Sequence, residues 1–294
     1  MMEMHKPMTG TNMRSVMKRT HQFLDSSTLG VFGVGHFGRA IACGLLNAGF
    51  SRSKLRICHR GSADTRRQLA ELGLSDCLTD RHELVRDSKI VLYAVRPQDY
   101  RALADCKMRA DGLLVSFLAG VPLTRLPVSL SENRRVRVTT SSPHTLQQRN
   151  GIAAIYPAGN DIVHELLSAL SLRVFALEHE TDMDAFTAFA TCLPTALAYW
   201  EAFGHQVEAD ELLEAAATHR LSDYPQVLAW ARAVQPRGLA PSELDAYITQ
   251  AATPGGVTET ILREIEAGKP LSVALECGVK RSRKLGSEPE SRNA

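Results

Sequence analysis

Short apolar runs dominate the first half of the chain, and helical apolar spacing dominates the second. Thr28-Leu29-Gly30-Val31-Phe32 runs straight into glycines, the pattern of a buried strand entering a turn. Over 38–48, Ala40, Ile41, Leu45 and Leu46 recur at helical spacing, and Gly49 is placed to stop that helix. Further strands are expected over 55–59, 90–95, 113–118, 136–139 and 152–156, with a second helix over 65–72. Parallel neighbours need a crossover to return the chain, so strands alternating with helices predict an α/β doubly wound parallel sheet. Beyond Ala185 the pattern changes: Phe186, Phe189 and Ala190, then Leu212, Leu213, Ala216 and Ala217, keep helical spacing. An all-helical C-terminal domain over 179–285 is therefore expected after the sheet domain of 28–178. Residues 1–27 hold six of the eight methionines with little periodicity and read as a flexible extension, and 286–294 read as a frayed tail.

At 294 residues, with 44% apolar and 22% charged side chains, the chain is long enough and apolar enough for a globular protein with a full core. A formal net charge of +2 demands no acidic partner. Lys18 and Arg19, and later Lys280, Arg281, Arg283 and Lys284, are modest basic excesses without interleaved aromatic residues, so nucleic acid is not expected as a partner. Cys43, Cys58, Cys77, Cys106, Cys192 and Cys277 are widely spaced with no CxxC pair, so neither a disulfide framework nor a bound metal is expected. No stretch approaches the roughly 20 apolar residues of a membrane span, and a secretory apolar core is lacking, so the expected compartment is the reducing cytoplasm.

Gly33-Val34-Gly35-His36-Phe37-Gly38 is a GxGxxG motif that directly follows a strand and opens a helix, where peptide N–H groups and the helix dipole can hold a pyrophosphate. Gly33 would permit the tight turn, Gly35 the approach of backbone to phosphate, and Gly38 the packing of helix on strand, with His36 and Phe37 between them against the cofactor. A glycine turn holding no ligand is the plain alternative, and the strand–turn–helix setting weakens it. The sheet domain thus reads as a Rossmann dinucleotide-binding domain. About 20 residues on, where an acid would select NAD, stand His59, Arg60, Gly61 and Ser62. A planar guanidinium and a hydroxyl, Arg60 and Ser62, suit a 2′-phosphate, so NADPH is the expected cofactor. Arg66 and Arg67 could assist, although arginines on a polar helix are more often solvated surface charge.

Ala94-Val95-Arg96-Pro97-Gln98 is similar to the Ala-Val-Lys-Pro-Gln segment of pyrroline-5-carboxylate reductases, and Ser116-Phe117-Leu118-Ala119-Gly120-Val121 resembles their Ser-Ile-Ala-Ala-Gly-Val stretch. Thr253-Pro254-Gly255-Gly256-Val257-Thr258 resembles their Ser-Pro-Gly-Gly-Thr-Thr motif. The resemblance covers nearly all of 28–285 and is faint over 208–242. It implies an NADPH-dependent reductase of the C=N bond of a small cyclic imino acid or related imine, as in proline biosynthesis, and a homodimer whose helical domains interlock. It further implies that Ala94, Val95, Arg96 and Pro97 border the nicotinamide. Thr258 falls where the family sets a hydroxyl against the substrate's ring nitrogen and is the catalytic candidate; a plain N-cap threonine is the alternative. A Pro-Gly-Gly turn before a helix would also offer the N–H groups of Gly255, Gly256 and Val257 to a substrate carboxylate.

Two segments depart from that family. The asparagine of its Met-Pro-Asn-Thr-Pro segment, near the nicotinamide, becomes Ser141 in Thr139-Thr140-Ser141-Ser142-Pro143. Its Gly-Ser-Gly-Pro-Ala segment becomes Thr191-Cys192-Leu193-Pro194-Thr195, so Cys192 and Leu193 would line the substrate pocket. An inward Leu193 would reshape the pocket by more than a methylene's discrimination, about 1–3 kcal/mol, which leaves substrates other than pyrroline-5-carboxylate open. Cys192 lacks the neighbouring histidine and acid of a nucleophile and reads as a buried apolar residue. Glu178, Glu180, Asp182 and Asp184 read as a helix start with Thr181 or Asp182 as cap, and Tyr199 and Trp200 as core or subunit-interface residues. Two rivals keep the fold: an NADP-binding regulatory protein with a degenerate site, and a carbonyl-reducing dehydrogenase. The second usually carries a lysine on a helix such as 184–203, where none stands.

Overall fold

The computed structural model describes residues 27–127, 134–221 and 223–287. Strands β1 (Leu29–Phe32), β2 (Leu55–Cys58), β3 (Ile90–Tyr93), β4 (Leu113–Ser116), β5 (Arg135–Thr140), β6 (Gly151–Tyr156) and β7 (Leu172–Ala176) form one sheet in the order β2-β1-β3-β4-β5-β6-β7. β1 to β5 are parallel, β6 joins β5 antiparallel, and β7 lies parallel to β6. The order reverses between β1 and β3, so their carboxyl ends open the crevice in which a doubly wound sheet takes its ligand.

Five helices accompany the strands: α1 (His36–Asn47), α2 (Ala63–Glu71), α3 (Arg81–Asp87), α4 (Pro143–Gln147) and α5 (Asp161–Ala169). Side-chain alternation along each strand sorts what they cover. Leu29, Val31, Ile90, Leu92, Val136 and Val138 face one way, packing with Ile41 and Leu45 of α1, Leu69 of α2 and Leu166 of α5. Phe32, Val91, Tyr93 and Leu114 face the other way, against Leu84 and Val85 of α3. α5 and β7, which the sequence reading did not place, complete the sheet's far edge.

The second half is helical: α6 (Asp182–Phe186), a π-turn (Thr187–Thr191), α7 (Leu193–Ala202), α8 (Ala209–Ala217), α9 (Tyr224–Val234), α10 (Pro241–Ala251), α11 (Val257–Glu266) and α12 (Leu271–Ser287). Its core is continuous with Ile152 and Ala154 of β6. Arg137 of β5, 3% exposed, donates to Asp184 at 3.0 Å and lies 3.6 Å from Glu180, while Ser282 of α12 donates to the same Asp184 oxygen at 2.7 Å. Glu180 also accepts the Leu123 N–H at 2.7 Å, and Asp182 pairs with Arg220. The acidic run therefore ties helices to sheet. It does open α6, but neither Thr181 nor Asp182 caps that helix with a side-chain hydrogen bond: Thr181 is the N-cap residue and makes none.

One helix over 184–203 was expected, and the chain instead passes from α6 through the π-turn into α7. Pro194 is the cause. It has no N–H for the Ala190 carbonyl, and the ladder widens before it, with Cys192 N–H donating to Thr187 at 3.0 Å. At the termini, Ser27 is buried, and Gly286 and Ser287 belong to α12 rather than to a frayed tail. Gly286 is buried against the loop after β4: a Cβ on it would collide with the Gly120 carbonyl, and one on Gly120 with the Ser282 carbonyl. The rest of the expected extension, 1–26, and of the tail, 288–294, lie outside the described residues. No helix among the described residues is long and apolar enough to cross a membrane.

Candidate functional site

The glycine turn after β1 rests on close contact. Gly33 has φ 99°, and a Cβ there would stand 2.8 Å from the Ala94 carbonyl at the end of β3. A side chain on Gly38 would run into the Gly33 carbonyl oxygen, which fixes how near α1 comes to β1. Gly35 is different: a Cβ there would meet nothing within 4 Å. Open space thus lies at the N-terminus of α1, whose first-turn N–H groups have no intrahelical partners, and a pyrophosphate fits that cradle. His36 beside it is exposed, and the Phe37 ring packs on Phe117 from the loop after β4, centroids 5.2 Å apart. Ala94, Val95 and Pro97 are half-buried along the same crevice, with Arg96 exposed.

At the end of β2, Arg60 pairs with the buried Asp99 while 58% of its own side chain stays exposed, so the cation is anchored and still open to solvent. Arg66 folds over the same turn, its Nη2 donating to the Gly61 carbonyl at 2.8 Å, whereas Arg67 pairs with Asp64 at 2.9 Å. Ser62 is engaged locally. Its Oγ accepts the Thr65 N–H at 3.1 Å and donates to Thr65 Oγ1 at 2.9 Å, capping α2. Two guanidiniums, Arg60 and Arg66, therefore flank the turn. Gly61 N–H donates to His59 Nδ1 at 2.9 Å, and partial burial, then the charge of Arg66, holds that imidazole below its usual range.

A cavity of about 280 Å³ joins two of the segments singled out by sequence, the glycine turn and the Thr139–Pro143 segment. Its walls include His36 of the glycine turn, Arg39 one helical turn later, Ser142 and His144 at α4, and Tyr247 of α10. The Tyr247 ring stands edge-on to His144, centroids 5.8 Å apart, and its hydroxyl lies 3.3 Å from Thr195 Oγ1, in the segment that departs from the family pattern. Arg39 is anchored on the Val34 carbonyl at 3.2 Å. The i, i+3 spacing of His36 and Arg39 could have revealed Arg39, but only the fold brings Tyr247 here. Ser141 is buried, and its Oγ accepts from Ile152 N–H at 3.0 Å and from Thr145 Oγ1 at 2.7 Å. That hydroxyl holds the loop together, and the adjacent Ser142 and Pro143 line the cavity instead.

The two substrate-side segments meet. Thr258 Oγ1 donates to Cys192 Sγ at 3.3 Å, Cys192 is buried, and Leu193 is wholly buried in the helical core. Burial pushes the Cys192 thiol up, against the smaller opposing effect of the Thr258 hydrogen bond. The N-cap of α11 is Gly256, so Thr258 sits at the second helical position and is not the N-cap. The Pro-Gly-Gly turn is already partly satisfied: Gly255 N–H donates to Glu259 Oε2 at 2.7 Å, and Gly256 N–H to the Thr253 carbonyl at 2.8 Å. Arg281 of α12 holds the turn through the Gly255 carbonyl at 2.7 Å. At the inner end, Thr187 of the π-turn and Thr139 of β5 share a hydroxyl hydrogen bond of 3.0 Å, so the helical segment starts against the carboxyl end of a central strand.

A family profile described as "NADP oxidoreductase coenzyme F420-dependent" matches residues 28–120. A curated relative, pyrroline-5-carboxylate reductase from Pisum sativum, is 27% identical over 270 residues, covering 89% of this chain and 97% of that protein. Among solved structures, 1-pyrroline-5-carboxylate reductase from Streptococcus pyogenes superposes with a TM-score of 0.55 at 19% identity, covering 88% of this chain and 98% of the other. Pyrroline carboxylate reductase from Plasmodium falciparum, solved with NADP bound, gives the same TM-score of 0.55 at 19% identity over 89% and 98% of the two chains. The structural likenesses establish the shared fold, and the sequence likeness runs almost end to end. The chain is thus similar to pyrroline-5-carboxylate reductases over most of its length, and it departs from their pattern at Ser141 and at Cys192 and Leu193.

Proposed function

We propose that this protein is an NADPH-dependent reductase of the C=N bond of a small cyclic imine, working as a homodimer in the cytoplasm. The observation that carries the reading is the contact of Thr258 with Cys192: it joins the Pro-Gly-Gly segment to the Thr191–Thr195 region, which the fold roots at the carboxyl end of β5. NADPH, when bound, supplies the reducing equivalent. Its pyrophosphate suits the cradle at Gly35, and Arg60, with Arg66, suits the 2′-phosphate. The nicotinamide would then lie toward Ala94, Val95 and Pro97 at the sheet's switch point.

Thr258 does the work at the substrate. Its hydroxyl now donates to a thiol, a weak acceptor, so exchanging that partner for an imine nitrogen is favourable. The donated hydrogen bond stabilises charge building on nitrogen and holds the ring in one orientation. Leu193 and Val257, next in the chain to Cys192 and Thr258, are packed in the helical core and fix the backbone that carries those two residues. No lysine stands on α6, the π-turn or α7, which disfavours the carbonyl-reducing rival. Steady-state oxidation of NADPH with five- and six-membered cyclic imines tests the reading. Thr258→Ala is expected to lower kcat by about 10²-fold, in line with loss of one donor to developing charge; unaltered turnover in that variant would remove Thr258 from this role. Titration should show NADPH binding more tightly than NADH, and Arg60→Ala should erase the difference.

A further inference from the structure

The cavity between α1, α4 and α10 takes no part in the chemistry assigned to Thr258 and Cys192, and its walls carry charge of one sign. Arg39 of α1 is half-buried, rests on the Val34 carbonyl at 3.2 Å, and makes no ion pair with a carboxylate among the described residues. Partial burial lowers its pKa from the ordinary arginine value, with the Cys43 thiol acting the other way. No aspartate or glutamate is among the described residues that line the cavity. Glu71 and Asp245, the acids nearest in sequence to the walls, are exposed and do not line it. Arg52, whose charge reaches Cys43, pairs with Asp76 at 2.9 Å. A guanidinium drawn partly out of water without a counter-charge is costly, and a carboxylate that meets its planar fork with two hydrogen bonds removes that cost.

The other walls set the size and the body of such a ligand. A cavity of about 280 Å³ holds the volume of about nine waters at roughly 30 Å³ each, and so a molecule of about that many non-hydrogen atoms. Ala40, Leu72, Pro143 and Ala251 give apolar surface, and Ser142 and Gln147 add polar groups. Apolar walls with a few polar groups among them are the usual make-up of a small-molecule site. We infer that this cavity binds a small monocarboxylate with an apolar body, and that Arg39 anchors the carboxylate. The site is separate from Thr258, and it approaches the pyrophosphate cradle only at His36, beside Gly35. α1 and α4 belong to the sheet domain and α10 to the helical half, so a ligand here joins the two and stabilises the fold by mass action. The inference stands whether or not the protein reduces imines.

The test is calorimetric titration of the full-length protein with benzoate, which matches that size, and with benzamide, its neutral isostere, each without and with an excess of NADPH. Benzoate is expected to bind at least about tenfold more tightly than benzamide, as for a hydrogen-bonded charged pair, and to keep its affinity in excess NADPH. Arg39→Gln should weaken benzoate binding by about tenfold, to the level of benzamide, and Arg39→Lys should recover part of the loss. Ala251→Phe, which fills the space from α10 and leaves Arg39 in place, should abolish binding of both molecules. Benzoate should also raise the melting temperature of the wild type and not that of Ala251→Phe. No heat with benzoate, equal affinity for benzamide, displacement of benzoate by NADPH, or binding that survives Ala251→Phe overturns the inference. The wild-type titrations alone can do so if a variant fails to fold.

Discussion

Arg137 is a charged side chain on the buried face of a central strand, and it is tolerated because its partners are built around it. Asp184 accepts from it at 3.0 Å and from Ser282 at 2.7 Å, which satisfies an otherwise costly pair from β5, α6 and α12 at once. Removing one partner leaves the other charge buried. Asp184→Ala is therefore expected to lower the free energy of unfolding by about 3–5 kcal/mol, measured by urea denaturation, whereas Arg137→Met combined with Asp184→Leu should recover most of the loss. A loss below about 1 kcal/mol in the single variant would mean the network does not hold these elements together. Nothing in the sequence distinguished Arg137 from a surface arginine, since its neighbours Val136 and Val138 are the apolar members of an alternating strand. The glycines of the turn after β1 were legible because each answers a local need, whereas Tyr247 acquires its meaning only from His144 and Thr195, which the fold brings to it. Cys58, at the end of β2, has its thiol pushed up to about 11, first by burial and then by Asp80. A raised thiol contributes stability that is intact below the ordinary cysteine range and is lost as pH rises through the folded value. The midpoint of urea unfolding should accordingly fall between about pH 9 and pH 11, and Cys58→Ala should flatten that decline.

Between elements, the tightest contact is backbone on backbone. The loop after β4 meets the end of α12 at Gly120 and Gly286, where a Cβ on either would overlap a main-chain carbonyl of the other segment or of Ser282, and Gly120 also has φ 74°. Gly120→Ala should destabilise the protein by at least about 1–3 kcal/mol from conformation alone, and more where helix and loop must separate. A thermal scan checks it, and a melting temperature unmoved by Gly120→Ala or Gly286→Ala would mean that the helix docks elsewhere. Periodicity made β1 to β6 and α1 readable, because each buries a face at its own period. It failed at α5 and β7, where Leu172-Arg173-Val174-Phe175-Ala176 has only one fully buried member and looks like a loop to any test of apolar runs. It also failed at the π-turn. Apolar spacing through 184–203 suits one helix, and the single residue able to say otherwise, Pro194, acts four positions upstream through the missing N–H.

At the scale of the whole molecule, the helical half carries its most exposed large apolar group at the end of α7. Phe203 is 55% exposed, its ring packs against Tyr199 with centroids 5.0 Å apart, and Trp200 stacks on His205 close by at 4.2 Å. Tyr199 and Trp200 are each tied by a polar atom, to Glu266 and to the Gln206 carbonyl, which leaves the Phe203 ring as the exposed apolar part of the cluster. An exposed aromatic ring beside others anchored by their polar ends is a common centre of a protein–protein contact. If the homodimer forms through this end of α7, light scattering should give twice the chain mass of 32.2 kDa, and Phe203→Asp should return it to one. The glycine turn and Arg60 belong to one chain's sheet domain, and Thr258 meets Cys192 within one chain. A monomeric Phe203→Asp variant should therefore keep its affinity for NADPH in a fluorescence titration while losing thermal stability, since dissociation removes the stabilisation that mass action gives a bound partner. A dimer that survives the substitution would move the interface away from α7, and a monomer that no longer binds NADPH would show that the partner completes the cofactor crevice.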